Sequence, residues 1–153
     1  MSADRELRAE TIIEAPVERV WAVLSDLSRM PELSDETVRM LPLKGGGLRV
    51  GQWYLGINRR KLVVWPTRNV VAALEPRRLL SWDTTSSGAR WIYELEADGG
   101  RTRVVHRRPV LGRLTGVSRL FAPLALGGTD EHADELEAGM ARTLGRLKAA
   151  VEG

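Results

Sequence analysis

The residues best suited to acid–base chemistry lie close together near position 106. His106 is one of two histidines in the chain, and Arg108 follows two positions later. Residues two apart in a β-strand point to the same side. A histidine can transfer protons near neutral pH, and an arginine can bind a carboxylate or an enolate oxygen. The pair therefore predicts two candidate catalytic residues. The alternative is a surface histidine at the end of a basic strand.

A second group of candidates lies in the segment GQWYLGINRR, residues 51–60. Strand alternation places Tyr54, Gly56 and Asn58 on one face. The opposite face carries three large apolar side chains, Trp53, Leu55 and Ile57. A hydroxylated ring, a missing side chain and an amide on one face suit a cavity wall, with the glycine leaving room for a ligand. The alternative is an ordinary strand with Gly56 at a bulge and Asn58 near a turn.

The following strands repeat this mixture of rings and polar groups. Three further sets alternate along one face each: Trp65, Thr67 and Asn69; Leu80, Trp82 and Thr84; and Trp91, Tyr93 and Leu95. Such a wall is typical of a mostly apolar pocket with a few polar anchors. Plain core packing is the alternative for any single tryptophan, but the set favours a cavity. The predicted ligand-binding residues are Tyr54, Gly56, Asn58, Trp65, Asn69, Trp82, Trp91 and Tyr93.

The sequence lacks the residues that several other kinds of chemistry require. The chain has no cysteine, and its two histidines are distant in sequence, so we expect no metal site. The glycine-rich stretch KGGGLRVG, residues 44–51, lacks the Lys-Ser/Thr of a phosphate loop, and no helix follows it. No G-x-S-x-G nucleophile motif and no dinucleotide fingerprint is present. We therefore predict no cofactor.

The length and charge of the chain further limit the class of protein that it can be. The chain has 153 residues, which predicts one domain, 1–153. The net charge is +3, and the arginines are spread over the whole sequence, whereas nucleic-acid binding usually needs a clustered basic face. The charged start lacks the apolar core of a signal peptide, and the apolar stretch 120–126 is too short to cross a bilayer. We expect a cytoplasmic protein without nucleic acid and without stable membrane insertion.

The pattern of apolar residues and turns predicts how these side chains are positioned. Strands are expected at 5–14, 37–43, 48–58, 62–74, 79–84, 89–97 and 101–108. Short turns separate the last six, which indicates hairpins and an antiparallel sheet. Pro66 cannot donate a ladder hydrogen bond, so it should lie at a bulge or an exposed edge.

Three helices complete the predicted order. The segment from Pro16 to Leu24 carries apolar residues at helical spacing, with the proline at the first helical position. A second short helix follows, with Leu27, Met30 and Leu33 inward. A final helix begins near Thr129 or Asp130. Its apolar stripe consists of Leu136, Met140, Leu144, Leu147 and Val151.

The segment 109–128 is apolar at helical spacing but is interrupted by several glycines and a proline. Because each interior glycine costs up to ~1 kcal/mol in a helix, a rigid core helix would not need so many. We predict a lid over the cavity mouth with Gly127-Gly128 as its hinge. The alternative is an irregular connection that reaches the last helix.

The order and the residues together resemble the helix-grip superfamily (SRPBCC). This superfamily includes START domains, the Bet v 1 fold and polyketide cyclase/dehydrase-like proteins, here of the actinobacterial single-domain type. The resemblance is carried by APVERVWAVLSDLSRMPELSDE (15–36), VGQWYLGINRR (50–60), VVWPTRNVVAALEPRR (63–78), RWIYELE (90–96) and LEAGMARTLGRLKAAVEG (136–153). It covers essentially the whole chain. It implies an α+β fold, in which a seven-stranded antiparallel sheet wraps around the long C-terminal helix and encloses a cavity.

For function, the resemblance implies a hydrophobic small molecule, such as a lipid or a polyketide-like compound, held between sheet and helix. An aromatase/cyclase or dehydratase using His106 and Arg108 is the alternative, and a protein-interaction module is a third. The chain is expected to be a monomer or a homodimer. It departs from the family pattern at the basic strand end VVHRRP, 104–109, and at Pro66.

Overall fold

The computed structural model describes residues 6–109 and 130–153, apart from the side chains of 130–132. An initial strand and a helical connection are followed by six further strands. The elements are β1 (Leu7–Ile13), α1 (Val17–Leu24), a 3₁₀ turn (Leu27–Arg29), α2 (Met30–Leu33), β2 (Thr37–Pro42), β3 (Trp53–Arg60), β4 (Val63–Glu75), β5 (Leu79–Thr84), β6 (Ala89–Asp98), β7 (Arg101–Arg108) and α3 (Asp130–Glu152).

The seven strands form one antiparallel sheet in the order β1-β7-β6-β5-β4-β3-β2. The strands from β2 to β7 are joined to their neighbours in sequence, as the turn signals predict. Only the connection from β1 to β2, which contains α1 and α2, crosses from one edge to the other. The predicted fold class is therefore confirmed.

The apolar stripes of the helices pack onto one face of this sheet. In α1 the buried residues include Val20 and Leu24, and in α3 they include Met140, Leu144 and Leu147. Except for Met140, these side chains join Leu80 and Val104 from the sheet in one core cluster, and Met140 packs in a smaller cluster with Leu7. Helix α3 lies against β1, α1 and α2, so it covers the concave face of the sheet. The opposite face leaves Trp53, Leu55 and Ile57 half-buried.

Some local features differ from the sequence-based expectation. Strand β3 begins at Trp53 rather than at residue 48, because Gly46, Gly47 and Gly51 take positive φ angles that turn the chain before it. Gln52 closes this turn, since its Nε2 donates to the carbonyl oxygen of Lys44 at 2.6 Å. Pro16 is the N-cap of α1 rather than its first helical residue.

Pro66 lies at a local edge of the sheet, although β4 itself is an interior strand. It pairs with Ile57 of β3, but the ladder between β4 and β5 begins only at Asn69. The missing N–H therefore removes no hydrogen bond on the β5 side. The predicted lid, 109–128, lies outside the described residues except for Pro109. No helix among the described residues is long and apolar enough to cross a bilayer.

Candidate functional site

A cavity of about 890 Å³ lies between the sheet and α3. This volume is within the range of about 300–1,000 Å³ typical of small-molecule sites. Strands β3 to β7 contribute its wall of rings and polar groups, and α3 covers it with Leu136, Met140 and Thr143. Its exposed side is lined by residues 59–61, which are the end of β3 and the first residue of the following turn, and by Ser86.

Nine of the ten sequence-predicted site residues line this cavity: Gly56, Asn58, Trp65, Asn69, Trp82, Trp91, Tyr93, His106 and Arg108. Tyr54 does not. It is 7% exposed and packs in the closed core with Leu27 and Met30. Alternation assigns Tyr54 to the inward face correctly, but it does not show how far along the strand the cavity extends. The closed core begins two residues before Gly56.

Six side chains from five strands form a continuous hydrogen-bonded chain across the sheet, which we call the polar ladder. Its members are Thr37, Asn58, Thr67, Asn69, Thr84 and Trp91. The Asn58 amide donates to Thr67 Oγ1 at 3.1 Å and accepts from the Thr37 hydroxyl at 3.2 Å. The Asn69 amide also donates to Thr67 Oγ1, at 3.3 Å. Thr84 donates to Asn69 Oδ1 at 2.7 Å and accepts from Trp91 Nε1 at 3.2 Å.

The polar ladder limits the polar groups that can form hydrogen bonds with a ligand. Asn58 Nδ2 also donates to the carbonyl oxygen of Trp65, and Asn69 Nδ2 lies 3.5 Å from that of Tyr54, so the amide hydrogens of both residues point to protein acceptors. Thr67 Oγ1 accepts two bonds, and its own hydrogen has no acceptor among the described residues. Thr67, which the sequence argument placed on the wall without a role, is therefore the ladder's donor towards the cavity.

Gly56 makes the polar ladder possible. A Cβ at this position would lie 2.6 Å from Thr67 Oγ1 and 3.1 Å from Asn69 Nδ2. Gly56 and Thr67 are directly paired across β3 and β4. Strand alternation predicts that this glycine leaves room for a ligand. Gly56 does border the cavity, but protein side chains occupy the direction of the missing Cβ.

We expect Gly56→Ala to lower the free energy of unfolding by roughly 2 kcal/mol, because the added methyl displaces a hydroxyl held by two amides. For a chain of this length, the melting temperature should fall by about 4–8 °C. Gly145→Ala in α3 is the matched control. Nothing lies within 4 Å of its added Cβ, so it should stabilise the helix by up to ~1 kcal/mol.

A double-mutant cycle assigns the cause of the expected loss. In a Thr67→Ala background the colliding oxygen is absent, and Gly56→Ala should then cost clearly less than in the wild type. An unchanged melting temperature for Gly56→Ala alone would contradict this prediction, because it would show that the polar ladder can shift to accept the methyl group.

Beside the polar ladder, four rings from β5, β6 and β7 form an aromatic wall: Trp82, Tyr93, His106 and Trp91. Tyr93 and His106 are stacked, with ring centroids 3.8 Å apart and an interplanar angle of 7°. Trp82 lies 5.5 Å from Tyr93, and Trp91 lies 5.8 Å from His106. The Arg108 guanidinium is 5.3 Å from the centroid of Trp91, which is cation–π geometry.

The environment of His106 sets its protonation state. The side chain is 3% exposed, and its Nδ1 lies 2.9 Å from the carbonyl oxygen of Ile92. Burial lowers the pKa of His106 to about 4, although the hydrogen bond to Ile92 acts in the opposite direction. The imidazole is therefore neutral at pH 7. Because Nδ1–H donates to the backbone, Nε2 carries the lone pair and is a hydrogen-bond acceptor.

Burial also shapes the two neighbouring polar groups. It raises the pKa of Tyr93 far above its ordinary value, so this phenol remains protonated. Burial lowers the pKa of Arg108, whose buried Nε has no hydrogen-bond partner among residues 6–109 and 130–153. A buried guanidinium nitrogen without an acceptor favours an anionic or carbonyl oxygen nearby. The cavity thus presents His106 Nε2 as an acceptor, the Thr67 hydroxyl as a donor and Arg108 as a cation, next to the aromatic wall.

The comparisons with known proteins agree with this fold. A concave antiparallel sheet closed over a cavity by a long C-terminal helix defines the helix-grip class. The sequence model of the family described as "Polyketide cyclase / dehydrase and lipid transport" matches residues 4–152, so the chain belongs to that family. No curated protein matches the sequence.

Solved structures resemble the chain over nearly its whole length. The polyketide-cyclase-like protein Cgl2372 of Corynebacterium glutamicum is 24% identical, with a TM-score of 0.66 over 99% of this chain and 93% of that one. The aromatase/cyclase ZhuI of Streptomyces sp. R1128 is 21% identical, with a TM-score of 0.65 over 97% and 93%. Ara h 8.0201 is 12% identical, with a TM-score of 0.67 over 96% and 97%. At these identities the likeness shows the fold alone.

Proposed function

We propose that the protein binds a flat, largely apolar small molecule of the polyketide type in the cavity between the sheet and α3. The observation that carries this proposal is the aromatic wall inside a cavity of about 890 Å³. Rigid rings stacked across neighbouring strands offer flat contact surfaces, which match a fused-ring compound better than a flexible acyl chain.

The polar groups of the cavity indicate which functional groups this ligand carries along one edge. His106 Nε2 accepts a hydrogen bond, Thr67 donates one, and Arg108 supplies a positive charge. A compound with both a hydroxyl and a carbonyl or enolate oxygen satisfies all three groups. A purely hydrocarbon ligand offers no acceptor to the buried Arg108 Nε, which has none within the described part of the chain, and such burial is unfavourable.

The alternative function is an aromatase/cyclase, the activity named for the similar structure from Streptomyces. His106 would then remove a proton, and Arg108 would stabilise the resulting enolate. The pKa of His106, about 4, argues against this role, because an effective general base has a pKa near the working pH. Binding is therefore the better-supported function. If a turnover assay is found, His106→Ala should lower the rate by roughly 10²–10⁴ in the catalytic case.

A titration with 1,8-dihydroxyanthraquinone tests the binding proposal. This probe is flat and carries hydroxyl and carbonyl groups on one edge. The proposal predicts saturable quenching of tryptophan fluorescence at one probe per chain. Linear, unsaturable quenching, with no dependence on His106 or Arg108, would contradict it.

A further inference from the structure

The turn between β3 and β4 exposes apolar side chains beside the cavity. We call residues 59–64 the hairpin tip. Leu62 is 93% exposed, Val63 62% and Val64 61%. Each of the three residues before them, Arg59, Arg60 and Lys61, is basic and exposed, and all three line the cavity. An exposed apolar cluster beside a group of cations marks a contact surface rather than a solvated loop.

The backbone of the hairpin tip holds Leu62 outward. Arg60 and Val63 are the last paired residues of β3 and β4, so Lys61 and Leu62 form a two-residue turn. Lys61 takes a φ of 56°, a conformation that favours glycine or asparagine in such turns. A turn built for stability alone would place glycine at 61 and a polar residue at 62. Here a lysine and a leucine occupy these positions.

The cations of the hairpin tip differ from most surface arginines of this protein. Arg29, Arg90 and Arg103 form close ion pairs with nearby carboxylates. Within residues 6–109 and 130–153, Arg59 and Lys61 have no carboxylate partner. Arg60 has only a distant one, Glu135 at 3.9 Å. The charge of the hairpin tip is therefore available to an anionic partner.

The arrangement of the apolar groups distinguishes a bilayer from a protein partner. Val63 and Val64 are consecutive strand residues and point to opposite faces of the hairpin, while Leu62 lies at its end. A folded partner would cover one of these faces. A lipid surface surrounds the hairpin tip on all sides, and its anionic headgroups match the cations behind it.

We propose that the hairpin tip docks on the surface of an anionic phospholipid bilayer, with Leu62, Val63 and Val64 entering the headgroup region. Because the residues behind this contact also line the cavity, docking places the cavity next to the lipid. A hydrophobic ligand can then pass between the membrane and the protein with less exposure to water. The docking itself does not depend on the ligand proposed above.

Vesicle flotation tests this proposal. The wild-type protein should bind vesicles of phosphatidylcholine with phosphatidylglycerol, bind pure phosphatidylcholine weakly, and dissociate as salt is raised. Leu62→Asp should lower the partition coefficient about tenfold or more, because it removes the most exposed apolar group and adds a negative charge. Val50→Asp is the matched control, since Val50 is 58% exposed but lies outside the hairpin tip. It should bind like the wild type.

A second pair of variants isolates the charge. Lys61→Ala should weaken binding about fivefold. Arg77→Ala makes the same charge change at another non-glycine residue with a positive φ, in the turn at the opposite end of β4. It should leave binding unchanged. Equal binding to neutral and anionic vesicles, equal effects of each variant and its control, or no vesicle binding would each overturn the proposal, even if an acidic protein were captured instead.

The same samples separate this proposal from the ligand proposal. Leu62→Asp should still bind 1,8-dihydroxyanthraquinone normally, because its side chain lies outside the cavity wall. If the protein binds vesicles but does not bind the probe, the docking proposal is supported and the ligand proposal is contradicted.

Discussion

Replacing His106 with phenylalanine is expected to make the protein markedly less sensitive to acid between pH 6.5 and 4. In the folded protein the pKa of His106 is about 4, while an unperturbed histidine has 6.5. Between these values the unfolded chain binds a proton that the folded protein excludes, so the histidine makes stability fall as the pH falls. The full difference corresponds to about 3 kcal/mol at 1.36 kcal/mol per pKa unit.

The His106→Phe variant should therefore show a flatter dependence of the free energy of unfolding on pH in this window. Urea unfolding at several pH values measures it directly. Carboxylates also titrate in this range, so the result lies in the difference between the two proteins. Val104→Ala, at a fully buried position of the same strand, is the control. It should lower the free energy of unfolding equally at every pH, without changing the slope of the pH dependence. Identical slopes for His106→Phe and wild type would contradict the assigned pKa.

Trp91 is expected to contribute most to binding of a flat ligand. Its indole lies 5.3 Å from the Arg108 guanidinium and 5.8 Å from the His106 ring, and its Nε1 donates to Thr84 at the end of the polar ladder. Trp91→Ala should weaken binding of 1,8-dihydroxyanthraquinone by about 30-fold or more, the loss typical of a dominant aromatic contact. Calorimetric titration measures this affinity without relying on tryptophan fluorescence.

Two further variants define the cause of that loss. Trp91→Phe keeps a ring in the aromatic wall but removes the hydrogen bond to Thr84, so its affinity should lie between those of wild type and Trp91→Ala. Trp53→Ala removes an indole of similar partial exposure from the outer face of β3. It should bind the probe as tightly as wild type. A loss for Trp53→Ala as large as for Trp91→Ala would place the site on the wrong face of the sheet.

The strands and their inward faces could be predicted because alternation and turn residues are local signals. Strands β4 to β7 begin and end within one residue of the predicted limits. The same alternation placed Asn58, Trp91 and His106 on the cavity side. It identifies a face, however, and not a depth along the strand. For this reason alternation predicts a ligand contact for Tyr54, although this residue lies in the closed core.

The remaining features depend on pairings between distant segments. The need for a glycine at position 56 arises from Thr67, which is opposite it only in the folded register. The roles of Thr37, Thr67 and Thr84 have no sequence signal, since threonine is common on any strand. The low pKa of His106 depends on burial, which the basic sequence around it did not indicate. The cavity residues of α3, such as Thr143, had one weak signal, a polar residue beside the apolar stripe.

The central claim is that a ligand binds on the concave face, between the sheet and α3. The five tryptophans provide the most direct test, because Trp65, Trp82 and Trp91 line the cavity whereas Trp21 and Trp53 do not. The indole N–H signals of all five can be followed by ¹⁵N-resolved nuclear magnetic resonance during titration with 1,8-dihydroxyanthraquinone. Our account predicts that the three cavity signals shift together and saturate at one probe per chain, while the other two remain in place. Shifts of Trp21 or Trp53 without shifts of the cavity tryptophans would contradict it.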